Sequence, residues 1–113
     1  MNWGEMMTKE DALAIWLDEI GNQEYSYDFS GRKIKREDYM VDNQVGWVVT
    51  YIKPIELGGM ANKGNIIIMN YLTKEQKGMN YPEFIIDYKH YIAQYDKKGD
   101  FHYIEEILEE EDI

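Results

Sequence analysis

The sequence contains no cysteine among its 113 residues, which excludes disulfide scaffolds, thiolate zinc sites and cysteine nucleophiles together. Long apolar runs are also missing. The longest, residues 66–69, is far shorter than the roughly 20 residues that a helix needs to cross a bilayer. Residues 1–5 lack the basic region followed by an apolar stretch that is typical of a secretory signal. We therefore expect a cytoplasmic protein that does not act at a membrane.

Basic residues are scarce, since 12 Lys and Arg stand against 22 Asp and Glu and give a formal net charge of −10. This balance repels phosphate backbones, so we expect no direct nucleic-acid partner. The hydrophobic share of 44% and the aromatic share of 14% exclude a chain that is disordered overall. The length allows one domain, residues 1–113.

Hydrophobic periodicity and turn residues predict an α+β fold. A helix over residues 8–21 begins at the cap residue Thr8, ends at Gly21 and carries one apolar face. The apolar residues of that face are Leu13, Trp16, Leu17 and Ile20.

The rest of the chain is predicted to form short strands and turns. Residues 25–82 form the core region, with a helical turn at 36–39 and a second helix that starts at Thr73 and ends at Gly78. The strands of this region are expected at residues 25–29, 32–34, 47–52 and 66–69. Residues 83–107 predict a closing β-hairpin, and residues 108–113 predict an acidic tail.

The core region carries an ordered set of residues: Gly46-Trp47, Thr50-Tyr51-Ile52, Pro54, Gly58-Gly59 and Asn65. This set resembles the HNH endonuclease family, whose members commonly read Gly-Trp, two residues, Asp-His-Ile, one residue, Pro, a few residues and Gly-Gly, followed by an Asn. The family's site is a β-hairpin packed on a helix around one divalent metal. The resemblance covers residues 10–107 and implies an HNH-like hairpin-plus-helix core.

The catalytic pair of that family is replaced in this chain. In the family, the Asp supplies a metal-binding carboxylate and the His activates water, and those positions are Thr50 and Tyr51 here. A hydroxyl is a poor substitute for a carboxylate on Mg²⁺. Tyrosine, with an ordinary pKa of about 10, is a poor general base near neutral pH. The resemblance therefore implies a non-catalytic member of the family.

Two further positions of the family's pattern can be placed on this chain. Asn65 matches the central Asn, which in the family orients the metal-site loop through backbone hydrogen bonds. The last metal-ligand position falls on Asn70 or on Lys74, because the alignment is ambiguous by four residues. Only Asn70 could ligate a cation. We expect no resident cofactor or metal, and the alternative is a divergent nuclease that binds Mg²⁺ or Mn²⁺ through Asn70.

Other residues near the motif have simpler interpretations. His90 and His102 are expected on the surface of the closing hairpin, away from the motif. Asp42 and Glu56 flank the motif and could approach its pocket, but solvated loop carboxylates are the favoured interpretation. The basic segment 32–36 is either a phosphate-contacting patch or a solvated turn balanced by nearby acids, and the net charge favours the second interpretation.

The closing region is rich in tyrosine and acid. Tyrosines in strands usually pack at core edges or in cross-strand pairs. If rings and carboxylates alternate on one exposed face, however, that face would suit a protein partner and would imitate the spaced phosphates of DNA. The candidate partner-binding residues are Asp87, Tyr88, Tyr91, Tyr95, Asp96, Asp100, Tyr103, Glu105 and Glu106.

These observations predict a binding protein that docks on a basic protein surface, such as that of a bacterial nucleic-acid-processing enzyme. Its size and charge resemble those of phage- or mobile-element inhibitors of the anti-CRISPR and anti-restriction kinds. Two alternatives stay open: the divergent nuclease, and an α+β interaction module unrelated to the HNH family.

Overall fold

The computed structural model describes residues 7–108, and its first element is helix α1 (Lys9–Glu19). The hydroxyl of Thr8 caps this helix by accepting a 3.1 Å hydrogen bond from the backbone N–H of Asp11, as predicted. The buried side chains are Ala12, Ile15 and Trp16. The predicted apolar face is wrong at Leu17, which is 60% exposed, because the buried stripe is centred on Trp16 and faces away from it.

A short hairpin follows α1. Strand β1 (Tyr25–Tyr27) pairs antiparallel with strand β2 (Lys33–Lys35), and the buried Ile34 opposes Ser26. A single 3₁₀ turn, Arg36–Asp38, comes next where one helical turn was predicted. Both elements lie close to their predicted positions because they depend on local turn chemistry.

The centre of the fold is a second hairpin followed directly by a helix. Strand β3 (Trp47–Tyr51) pairs antiparallel with strand β4 (Ile66–Asn70), and helix α2 (Tyr71–Lys77) starts immediately afterwards. The predicted start of α2 at Thr73 is wrong, because the side chain of Asn70 caps the helix through the N–H of Leu72 at 2.9 Å. The helix ends at Gly78, as predicted.

The closing region forms a three-stranded antiparallel sheet rather than the predicted single hairpin. Its strands are β5 (Glu83–Ile86), β6 (Lys89–Asp96) and β7 (Phe101–Glu106), in that order across the sheet. Asp87 and Tyr88 have φ values of 49° and 68° and make a tight turn that divides the predicted long strand in two. Of the predicted tail, Leu108 is exposed and residues 109–113 lie outside the described residues.

Two hydrophobic clusters hold these elements together within residues 7–108. The first joins α1 to β2, β3 and β4, and the second joins the inner side of the closing sheet to the end of β3. The buried members of the first are Ala12, Ile15, Trp16, Ile34, Trp47 and Ile68. Those of the second are Ile52, Phe84, Ile86, Tyr91 and Ala93. The described chain is therefore an α+β fold with two α-helices and small antiparallel sheets.

Candidate functional site

The two residues at the family's catalytic positions do not share a face of β3. Thr50 pairs with Ile67, which packs against the second cluster, whereas Tyr51 pairs with Ile66, which packs against the first. Adjacent residues of a strand point to opposite sides. The structure therefore places the Thr50 and Tyr51 side chains on opposite faces of the hairpin.

Asn65 organises the loop between β3 and β4. Its side chain is 1% exposed, and its Oδ1 accepts a 2.8 Å hydrogen bond from the N–H of Lys53. Its Nδ2 donates to the carbonyl oxygens of Lys53 and Met60, each at 2.9 Å. These bonds match the loop-orienting role that the resemblance implies for this position, and they make Asn65 a structural residue.

Asn70, the proposed ligand under the nuclease alternative, is fully buried. Besides capping α2, its Nδ2 donates to the carbonyl oxygens of Lys33 at 3.0 Å and Gln44 at 2.9 Å. Lys74, the other candidate position, is exposed on α2. Within residues 7–108, no group of three or more His, Cys, Asp or Glu is placed to hold a metal ion.

Sequence reasoning missed a buried carboxylate, Asp28, which is 8% exposed and accepts five hydrogen bonds. Its Oδ1 accepts from the N–H and hydroxyl of Ser30 at 3.0 and 2.7 Å and from the N–H of Arg32 at 3.1 Å. Its Oδ2 accepts from the N–H of Asn70 at 3.0 Å and the hydroxyl of Thr73 at 2.6 Å. The sequence could have revealed only the hydrogen bonds to Oδ1, because an Asp two residues before a Ser is typical of a turn in which the carboxylate accepts from nearby groups. Nothing comparable indicates the hydrogen bonds to Oδ2.

Arg32 extends this network to the turn between β5 and β6. Its guanidinium donates to the Thr73 hydroxyl at 3.2 Å and lies 2.8 Å from a carboxylate oxygen of Asp87. The side chain of Gln76 also makes two hydrogen bonds to Asp87: its Nε2 donates to the carboxylate, and its Oε1 accepts from the backbone N–H. Asp87, a predicted partner-binding residue, is therefore held by contacts within the chain. The charge of Arg32, which belongs to the basic segment 32–36, is paired within the chain as well.

The predicted partner-binding residues do not form one face. Tyr91, Tyr95 and Glu106 point to the inner side of the sheet; Asp96, Tyr103 and Glu105 point to the outer side; and Asp87, Tyr88 and Asp100 lie in turns. The expectation of an exposed ring at Tyr91 is wrong. Tyr91 is 3% exposed, and the centre of its ring lies 5.1 Å from that of Phe29. The turn after β5 decides which side chains of β6 point inward, and Tyr91 is one of them.

The outward-pointing residues of the sheet, which we call the outer face, combine apolar side chains with acids. The apolar members are Ile85, Ile92, Phe101, Tyr103 and Ile107. The acidic members are Glu83, Asp96 and Glu105. Ile85 is 59% exposed, and Phe101 and Tyr103 are each 41% exposed. Neither hydrophobic cluster of residues 7–108 contains a member of the outer face.

The outer face carries no Lys or Arg on strands β5 to β7. Its one titratable base is His90, whose Nε2 lies 2.7 Å from a carboxylate oxygen of Glu83. Sequence alternation within each strand could have revealed this face. The missing information was the turn at Asp87 and Tyr88, which decides which residues of β6 point outward.

His102 lies beside the loop of the motif, and the expectation that it is distant from the motif is wrong. It hydrogen-bonds the backbone of Gly64, because β7 packs against the 3₁₀ turn Lys63–Asn65. Burial, followed by the nearby charge of Lys53, lowers the pKa of His102. Asp42 is an exposed loop carboxylate, as interpreted from the sequence, whereas Glu56 is exposed but lies in a 3₁₀ turn, Ile55–Leu57.

His102 also lines a cavity of about 270 Å³ next to the Gly-rich loop. Lys53, Gly58, Gly64, Tyr81 and Tyr95 contribute to its wall. The residues at the family's catalytic positions, Thr50 and Tyr51, do not line this cavity.

Comparisons of the chain with family models, curated proteins and solved structures found no match. The HNH assignment therefore stays a prediction from the sequence pattern. Among residues 7–108, no helix has the length and apolar character needed to cross a membrane.

Proposed function

We propose that this chain is a non-catalytic binding protein that docks through its outer face on the basic surface of a partner protein. The observation that carries the proposal is the composition of that face: half-exposed rings and aliphatic side chains surrounded by carboxylates, without Lys or Arg. Aromatic and aliphatic anchors at the centre of an interface supply most of its binding energy, and charges at the rim select the partner.

Charge complementarity favours a basic partner over a second copy of this chain. A face-to-face dimer would place the carboxylates of Glu83, Asp96 and Glu105 on both sides of one interface, and like charges in an interface are unfavourable. The formal net charge of −10 adds long-range repulsion between copies and long-range attraction toward a basic surface.

The state of the HNH positions supports a non-catalytic role. Thr50 and Tyr51 replace the family's Asp-His pair and lie on opposite faces of β3. The side chain of Asn70 uses its oxygen and nitrogen in three structural hydrogen bonds. This part of the proposal rests on the sequence resemblance.

The finer proposal is that the partner is a bacterial nucleic-acid-processing enzyme and that this chain inhibits it. A basic groove that binds phosphates would also attract spaced carboxylates, so the outer face would compete with nucleic acid for that groove. Small size and strong acidity support this idea by analogy with anti-CRISPR and anti-restriction inhibitors.

The test is affinity capture from a bacterial lysate with three baits: the wild-type chain, a Phe101→Ser/Tyr103→Ser double variant and a Tyr27→Ser control. Tyr27 is 64% exposed on β1 and lies outside the outer face, so it matches the loss of an exposed ring. We expect a basic protein to bind the wild-type and control baits. With that partner purified, the double variant should bind at least about tenfold more weakly.

Increasing salt should also weaken the purified complex, because it screens the attraction between the carboxylates of the outer face and the basic surface of the partner. Equal binding of the double variant and the wild type would exclude the outer face as the docking site. Capture of no basic protein by the wild-type chain would argue against the proposal as a whole.

A nicking assay tests the non-catalytic part separately. We expect no cleavage of supercoiled plasmid with Mg²⁺ or Mn²⁺. Metal-dependent cleavage that disappears in a folded Asn70→Ala variant would instead establish the divergent nuclease.

A further inference from the structure

The cavity beside the Gly-rich loop is separate from the outer face. It lies between the loop that Asn65 organises and the inner side of the closing sheet, where Tyr95 and His102 point. Its volume is about 270 Å³. This is enough room for a small organic molecule with one ring.

Lys53 gives this cavity a positive end. Its ammonium lies 5.5 Å from the centre of the Tyr81 ring and forms no ion pair with a carboxylate of residues 7–108. The charge of Lys53 lowers the pKa of His102 by more than the opposing charge of Asp100 raises it. One carboxylate oxygen of Asp100 accepts the hydroxyl of Tyr95. Asp100 also lines the cavity, so its charged lining consists of one ammonium and one carboxylate, and Lys53 is the group that could hold an anion.

Aromatic rings form the wall of the same cavity. The ring centres of Tyr95 and His102 are 4.8 Å apart, and those of Tyr81 and His102 are 6.2 Å apart. Burial, followed by the charge of Lys53, lowers the pKa of His102 and so favours the uncharged ring. A planar ligand ring could pack against this wall in the offset or edge-to-face arrangements that aromatic groups prefer.

We propose that this cavity binds a small aromatic carboxylate. The carboxylate lies at the ammonium of Lys53, and the ring packs against the rings of Tyr81 and His102. A hydrogen bond that involves two charged groups is stronger than a neutral one, so Lys53 fixes the orientation of the ligand. This proposal does not depend on the docking function of the outer face.

The experiment is an amide NMR titration with three probes: benzoate, cyclohexanecarboxylate and inorganic phosphate. We expect benzoate to shift the amide signals of Gly58, Gly64 and His102 saturably. Cyclohexanecarboxylate should bind more weakly because it has no planar ring, and phosphate should not saturate. Absence of a saturable benzoate shift at these residues would overturn the proposal, as would equal binding of phosphate.

Variants then test the role of Lys53. Lys53→Met should weaken benzoate binding at least about tenfold, since it removes a charge-assisted hydrogen bond. Lys98→Met changes the charge equally at an exposed position outside the cavity and should leave benzoate affinity unchanged. Lys53→Gln replaces Lys53→Met if the amide spectrum of the latter shows unfolding. Unchanged affinity in a folded Lys53 variant would overturn the proposal.

Discussion

The hydroxyl of Thr73 donates a 2.6 Å hydrogen bond to the carboxylate of Asp28, 45 positions earlier in the chain. The same carboxylate oxygen accepts the N–H of Asn70, the cap residue of α2. One buried acid therefore joins the β1–β2 turn to the first turn of α2. Because α2 follows directly on β4, this contact also fixes the orientation of the β1–β2 hairpin on the central hairpin.

We expect Asp28→Asn to destabilise the fold by about 3 kcal/mol, because an amide cannot accept at both ends of the side chain. Its NH₂ group would face donors: either Ser30 and Arg32, or Asn70 and Thr73. Urea unfolding followed by circular dichroism measures the change.

The control is Asp18→Asn, which makes the same chemical change on α1. The carboxylate of Asp18 pairs with Lys63 at 3.0 Å, but both side chains are more than half exposed. Exposed ion pairs contribute little to stability, so this control should lose little. Similar losses in Asp28→Asn and Asp18→Asn would contradict the central role of Asp28.

Asn65→Ala should open the loop between β3 and β4. The variant loses three hydrogen bonds to the backbone of Lys53 and Met60 and leaves those groups without protein partners. We expect a loss of about 2 kcal/mol in unfolding free energy and faster hydrogen exchange at the Lys53 amide. Asn62→Ala is the matched control, since the side chain of Asn62 makes no cap hydrogen bond. Unchanged exchange at Lys53 in the Asn65 variant would show that the loop is held by other contacts.

Local features of this fold were predictable from the sequence, whereas long-range ones were not. The Thr8 cap and the Gly78 helix end depend on residues within one helical turn, and both were predicted. The buried Asp28 was not, because two of its partners lie more than 40 positions away. Nothing in the sequence near Asp28 identifies Thr73 as a partner.

The candidate site was predicted only in part, for a similar reason. A two-residue turn at Asp87 and Tyr88 sets which side chains of β6 point inward, and the sequence pattern did not reveal it. Tyr91 was therefore assigned to the surface and is buried, while Ile85 and Phe101 of the outer face were missed. His102 was placed far from the motif because only the packing of β7 on the 3₁₀ turn Lys63–Asn65 brings it there.

Lys77 gives the fold a specific pH dependence. Its side chain is 2% exposed, donates to the carbonyl oxygen of Asn80 at 3.2 Å and lies 5.2 Å from the centre of the Phe84 ring. Burial lowers the pKa of Lys77. Between that lowered pKa and the ordinary value of about 10.4, the unfolded chain binds a proton that the folded chain has released. Stability from this group therefore rises with pH in that window.

We expect Lys77→Met to be about 1 kcal/mol more stable than the wild type near neutral pH, because it replaces a buried charge with an apolar side chain of similar length. This advantage should shrink as the pH rises through the lowered pKa of Lys77 toward its ordinary value, because the folded chain then releases the proton. Urea unfolding of both proteins across this range measures the difference.

The stability difference between the wild type and Lys77→Met does not contain the contribution of the tyrosines, because it is the same in both proteins. The pKa values of Tyr39 and Tyr91 are raised mainly by burial, and that of Tyr95 mainly by its hydrogen bond to Asp100. These groups lower stability as the pH rises above about 10, in wild type and variant alike. A stability difference that does not change with pH would show that Lys77 keeps its ordinary pKa.

Gly64 allows the Lys63–Asn65 turn to pack against β7, and Gly64→Ala tests this contact. A Cβ at this position would overlap the carbonyl oxygen of Asp100 and lie 3.2 Å from the Cα of Phe101, and backbone atoms cannot rotate away. We expect a loss of about 2 kcal/mol. Gly31→Ala is the comparison, because a Cβ there meets no atom within 4 Å and only the φ of +92° opposes it, at a cost of about 1 kcal/mol. Urea unfolding should rank Gly64→Ala as the less stable variant, and amide shifts at His102 should accompany its loss. If Gly31→Ala proved equally unstable and the His102 amide did not move, the close contact between this turn and β7 would be ruled out.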